Sequence, residues 1–131
     1  MKKIASWSGP RNISTAFMRS FENRADTFVT DEPFYAYYLY KTKNKHPMYK
    51  QIINCGNIDW NSITKFLSGN IPMNKTIWYQ KHMIHHIFFD LDISWIYDMI
   101  NIILIRHPKD VILSYSKKFK IKNIDQLGFK Q

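Results

Sequence analysis

Apolar residues in this chain follow two alternating rhythms, and each switch between them marks an element. Residues 2–7 form a short strand-like run around Ile4-Ala5. From Ser14 to about residue 23 the rhythm becomes helical, with Ile13, Phe17 and Phe21 every four residues as one buried stripe and Ser14 or Asn12 as cap. Residues 27–30, Thr-Phe-Val-Thr, read as a second strand. It ends at Asp31-Glu32-Pro33, where Pro33 forces an extended or turn conformation on Glu32. A helix over 34–40 follows, with Pro33 at its first turn. The stretch 41–74 is the least patterned and holds one helix over 59–67, capped by Asp59 and stopped by Gly69. Residues 75–80 read as a third strand, 81–89 as a loop turning into a helix, and 92–99 as a short helix with Trp95 and Met99 on one side. The branched run over 101–105 predicts a fourth strand buried on both faces of a parallel sheet. His107-Pro108 opens a last helix with Val111, Ile112, Tyr115 and Phe119 as its inner stripe. Strands alternating with helices predict an α/β fold, a single domain over 1–131 with a mostly parallel sheet of about four strands.

The turn after the first strand carries the first chemistry. Ser8-Gly9-Pro10-Arg11-Asn12-Ile13-Ser14-Thr15 leads from a strand into a helix start through glycine and proline. Such a turn exposes backbone N–H groups, the helix end adds partial positive charge, and Arg11, Ser14 and Thr15 complete an anion site. It is not a Walker A loop, which needs Gly-Lys-Ser/Thr five residues after its first glycine. An ordinary ATPase or GTPase, and with it a small-molecule P-loop kinase, is disfavoured by that missing lysine.

Composition narrows the picture further. Hydrophobic content of 45% and aromatic content of 16% argue against disorder. Neither a membrane-length apolar stretch nor a signal h-region is present, so the sequence predicts a cytoplasmic location. Lone Cys55 makes no intramolecular disulfide and no zinc site. The net charge of +9 favours a polyanionic ligand. Its lysines cluster at 41–45 and 117–122 rather than in one stripe, so a small anion is expected and a nucleic acid is not.

The second signal is Leu104-Ile105-Arg106-His107-Pro108-Lys109-Asp110-Val111-Ile112-Leu113-Ser114-Tyr115. Arg106 falls at the carboxyl end of a strand, where open α/β sheets bind ligands. Its alternative role is pairing with Asp110 or another carboxylate. Ser114 sits about two turns into the following helix, so it and Arg106 can converge on one phosphate.

With both segments in hand, the chain resembles the P-loop sulfotransferase superfamily, in particular its bacterial sulfotransferase-like branch. In that superfamily the N-terminal strand–loop–helix binds the 5′-phosphosulfate of 3′-phosphoadenosine 5′-phosphosulfate (PAPS). An Arg-x7-Ser pair, within a stretch reading roughly Arg-x-Pro-Lys/Arg-Asp-Val-x-x-Ser-Tyr, binds the 3′-phosphate. Arg106 and Ser114 match that pair, and Pro108, Lys109, Asp110, Val111 and Tyr115 fill in the rest. The resemblance implies a P-loop three-layer sandwich, incomplete at its C-terminus, and PAPS as co-substrate with no metal. It implies transfer of a sulfuryl group to a hydroxyl or amine of a small acceptor. Gly9, Arg11, Asn12, Ser14, Thr15, Arg106 and Ser114 would bind the nucleotide.

Two departures accompany it. Asn12 stands where the family's loop lysine contacts the transferred sulfate, with Arg11 beside it. The chain also stops at Gln131, soon after the 3′-phosphate segment, which leaves open a truncated or degenerate module that binds nucleotide without turnover. Catalytic candidates are Glu32 as base, with Asp31 beside it, Lys81 at the leaving group, and Arg11 as a fixed positive charge. A salt bridge from Asp31 or Glu32 to Arg11 is the structural alternative. Lys81-His82-Met83-Ile84-His85-His86 places methionine where the family's Lys-x-His segment has histidine, leaving His85 or His86 to take over. Spacing of His82 and His86 suits a metal, yet no third ligand is apparent. The tyrosines at 35–40 read as core or as the wall of an acceptor pocket.

Overall fold

The computed structural model describes residues 1–44, 46–121 and 123–129. Lys45 and Lys122, each the end of a predicted lysine cluster, lie outside the described residues. Four strands, β1 (Lys2–Ser8), β2 (Thr27–Asp31), β3 (Ile77–Met83) and β4 (Ile100–Leu104), form one parallel sheet in the order β2-β3-β1-β4. Helix α1 (Ser14–Glu22) covers one face, where Met18, Phe17 and Phe21 pack on Ile4, Tyr79 and Ile102. Helices α2 (Tyr35–Thr42) and α4 (Trp60–Ser68) cover the other, where Phe34, Tyr37, Ile63 and Leu67 enclose Trp78. Between them runs α3 (Tyr49–Cys55), which the hydrophobic pattern does not announce, and α5 (Pro108–Ser116) follows β4. This is the helix–sheet–helix sandwich expected from the alternation of elements.

Strands β3 and β1 are the inner pair, and Trp78 through Met83 of β3 are all buried. Its polar members are received locally in different ways: Gln80 donates to the Leu67 carbonyl at 2.9 Å, and the His82 ring stacks on Trp7 at 4.4 Å. Strand β4 is instead an edge. Ile103 is 65% exposed, so the expected burial on both faces does not occur; the branched run reflects β propensity at a sheet margin rather than a central position.

Several local expectations shift. Ile13 lies outside the α1 stripe at 71% exposure, with Met18 taking its place. No side chain caps α1, because Asn12 bonds elsewhere. Lys81, His82 and Met83 extend β3 rather than opening a loop, and a single 3-10 turn (Ile84–His86) follows. The predicted helix over 92–99 shrinks to the 3-10 turn Ser94–Ile96. Of the predicted α5 stripe only Val111 is buried, whereas Ile112 and Phe119 are exposed. Asp59 does cap α4, accepting from the Ser62 N–H at 2.7 Å, and Gly69 ends it.

Candidate active site

All four parallel strands end on one side of the sheet, and the candidate residues gather there. After β1 the loop Gly9–Ile13 turns into α1. Arg11 adopts a left-handed backbone (φ 62°), a conformation that costs a non-glycine residue energy unless its surroundings hold it. Two contacts hold it: Arg106 Nη1 donates to the Arg11 carbonyl at 2.6 Å, and Arg11 Nε donates to Ser114 Oγ at 3.0 Å. The N-terminal loop and the Arg-x7-Ser segment, about a hundred residues apart in sequence, therefore meet directly. Asn12 Nδ2 faces the carbonyls of Gly9 (3.4 Å) and Leu104 (3.3 Å), tying the loop to the end of β4. Gly9 is needed for close approach, since a Cβ there would lie 2.9 Å from the Leu127 carbonyl oxygen.

Register between β2 and β3 builds the second cluster. Asp31 is paired with Lys81 across the sheet, and Glu32 follows in a left-handed turn (φ 46°), its N–H bonded to the Lys81 carbonyl at 2.9 Å. Lys81 is almost wholly buried, and its Nζ lies 2.7 Å from both Asp31 Oδ1 and Glu32 Oε1. Burial alone would lower the ammonium pKa, but hydrogen bonds and charge from the two carboxylates outweigh it and raise the value. The expected alternative for Asp31 and Glu32, a salt bridge to Arg11, gives way to this lysine. Arg106 likewise holds a backbone carbonyl instead of Asp110.

A cleft of about 810 Å³ runs over both clusters. Gly9, Arg11, Asn12, Ser14 and Thr15 line one end, and Glu32 and Lys81 its floor. Arg106 and His107 line an adjoining cleft of about 570 Å³, shared with Gly9 and Asn12. The sequence reading did not single out Asn44, His46, Lys118 or Lys120, which also line the larger cleft. The i, i+3, i+4 spacing of Tyr115, Lys118 and Phe119 was the available signal.

Buried His82 and His86 and half-buried His85 stand at or beside this cleft. Burial pushes His82 down to about 3 and His85 down to about 4, and holds His86 well below its usual value. None has a partner for Nδ1 among the described residues, a cost of about 1–3 kcal/mol per group if it stays dry. Among the described residues no group of three His, Cys, Asp or Glu side chains could hold a metal ion, and no helix is long and apolar enough to cross a membrane.

Four parallel strands thus end at a loop that an arginine and a serine from the segment after β4 brace. Comparison with known proteins gives the family: the sulfotransferase domain profile matches residues 1–130, and the chain belongs to that family. It is also similar to two Arabidopsis thaliana proteins. Branched-chain-amino-acid aminotransferase-like protein 1 is 33% identical over 117 residues, covering 87% of this chain and 20% of the relative. Branched-chain-amino-acid aminotransferase-like protein 2 is 31% identical over 117 residues, covering 89% and 21%. The chain thus spans about a fifth of the length of these curated relatives. No solved structure matches it with comparable significance.

Proposed function

We propose that this sulfotransferase-family chain binds PAPS and transfers its sulfuryl group to a hydroxyl or amine of a small acceptor in the cytoplasm. The observation that carries the reading is the junction of Arg11 with Ser114 and Arg106, which joins the two phosphate-binding segments into one surface. Arg11, Ser14 and Thr15, at the loop and the start of α1, would hold the 5′-phosphosulfate, helped by the α1 N–H groups. Arg106 and Ser114 would hold the 3′-phosphate, since Arg106 spends one donor on the Arg11 carbonyl and keeps others free.

Glu32 is the base in this scheme. Its carboxylate takes the acceptor proton as the acceptor oxygen bonds to sulfur, while the bond between sulfur and the bridging phosphate oxygen breaks. Lys81 holds Glu32 in place, and the Arg11 guanidinium stabilises the leaving phosphate without moving a proton. Calorimetric titration with adenosine 3′,5′-bisphosphate tests the site. Binding weakened at least tenfold by Arg106→Ala is expected; unchanged affinity would overturn the assignment.

One observation favours a second reading, a nucleotide-binding module without turnover. Asn12, at the position of the family's loop lysine, is committed to the Gly9 and Leu104 carbonyls. Transfer of radiolabelled sulfate from PAPS to a panel of alcohols and amines separates the two. A binder gives nucleotide affinity and no labelled product.

A further inference from the structure

The half of the cleft beside the Ile84–His86 turn has a chemistry of its own. His86 stacks on both Tyr35 (5.4 Å, 22°) and Tyr38 (4.7 Å, 28°). His85 stands edge-on to Tyr38 (5.3 Å, 87°). Both imidazoles line the cleft, and both have a buried Nδ1 without a partner among the described residues. Held neutral by burial, each carries one N–H donor and one lone pair, which suits a neutral hydroxyl.

The facing wall comes from the end of α5 and the turn beyond it. Tyr115 and Phe119 line the same space as Tyr38. Lys118 and Lys120 stand at this rim. Among the described residues, the one carboxylate lining the cleft is Glu32, already bonded to Lys81. Aromatic rings line this space, and two lysines stand at its edge. They suit a flat ring that bears a negative charge.

We infer, resting on the reading of this cleft as a sulfuryl-transfer site, that this half is the acceptor subsite and takes an anionic aromatic alcohol. The hydroxyl meets Glu32 and the histidine edges, the ring lies against Tyr38, Tyr115 and Phe119, and the anionic group meets Lys118 and Lys120.

The test uses three phenols that differ in charge: 4-hydroxyphenylacetate, 4-ethylphenol and tyramine. Each is titrated calorimetrically into the protein with and without saturating adenosine 3′,5′-bisphosphate. The carboxylate is expected to bind at least tenfold more tightly than tyramine, with 4-ethylphenol between them. Lys118→Glu with Lys120→Glu, both at exposed positions, should abolish or invert that order. Equal binding of the three phenols would overturn the inference, and so would a preference that survives the double substitution. Nucleotide binding that fails while the carboxylate preference persists would sink the PAPS reading and leave this subsite standing.

Discussion

Acid should unfold this protein well before its carboxylates titrate, because its buried histidines are held uncharged. His82 is 1% exposed, stacked on Trp7 and ringed by Phe34 and Trp95, with Nε2 facing Gln80 Oε1 at 3.3 Å. Its folded pKa of about 3 lies below the ordinary value of 6.5, as does that of about 4 for His85. Below pH 6.5 the unfolded chain therefore takes up protons that the folded chain refuses, and stability falls as pH falls. The contribution of each histidine is fully present above 6.5 and is lost progressively down to its folded pKa. At roughly 1.4 kcal/mol per pH unit per group, the step from pH 6.5 to 5 removes ~2 kcal/mol for each. His82 and His85 together account for ~4 kcal/mol, against a typical domain stability of about 5–15 kcal/mol, and His86, shifted the same way, steepens the fall. Urea titrations followed by tryptophan fluorescence at pH 7, 6, 5.5 and 5 measure the slope directly. His82→Phe keeps a ring on Trp7 while removing one titrating group, so it should make the slope measurably shallower. A free energy that stays level from pH 7 to 5, or a slope untouched by His82→Phe, would refute the reasoning.

Gly9→Ala places a methyl group against the Leu127 carbonyl and should lower thermal stability by about 1–3 kcal/mol, read by calorimetry together with weakened nucleotide binding. Asp59→Ala removes the α4 cap and should cost ~1 kcal/mol in chemical denaturation without altering nucleotide affinity. Lys81→Met leaves Asp31 and Glu32 side by side without their cation. Since both carboxylates reach solvent, the stability loss should stay near 1–3 kcal/mol, while sulfuryl transfer falls roughly 100-fold or more.

The elements that depend on local chemistry could be read directly from the chain. Asp59 and Gly69 bound α4 because capping needs only neighbours, and the four parallel strands followed from the alternation of elements. Strand order could not be read so simply. The most apolar run became an edge, whereas β3 sits centrally with Gln80, Lys81 and His82 inside it. Hydropathy counts such residues as exposed because it cannot see the Leu67 carbonyl, the two carboxylates or the Trp7 ring that receive them. The same limit applies to the site. The spacing of Arg106 and Ser114 was legible, but the attachment of both to Arg11 depends on β4 lying beside β1. The pairing of Lys81 with Asp31 rests on β2–β3 register, and no local pattern encodes that.

Strand β4 has a consequence for how this polypeptide behaves in the test tube. Its outer margin offers main-chain donors and acceptors, flanked by Ile100, Ile103 and Ile105, that no described strand engages. Such a margin can template a foreign strand, and neither the chain's surplus of lysines nor added salt neutralises attraction built from amide groups and methyls. Concentrated samples will tend to stick to one another there, and dilution rather than ionic strength is the remedy.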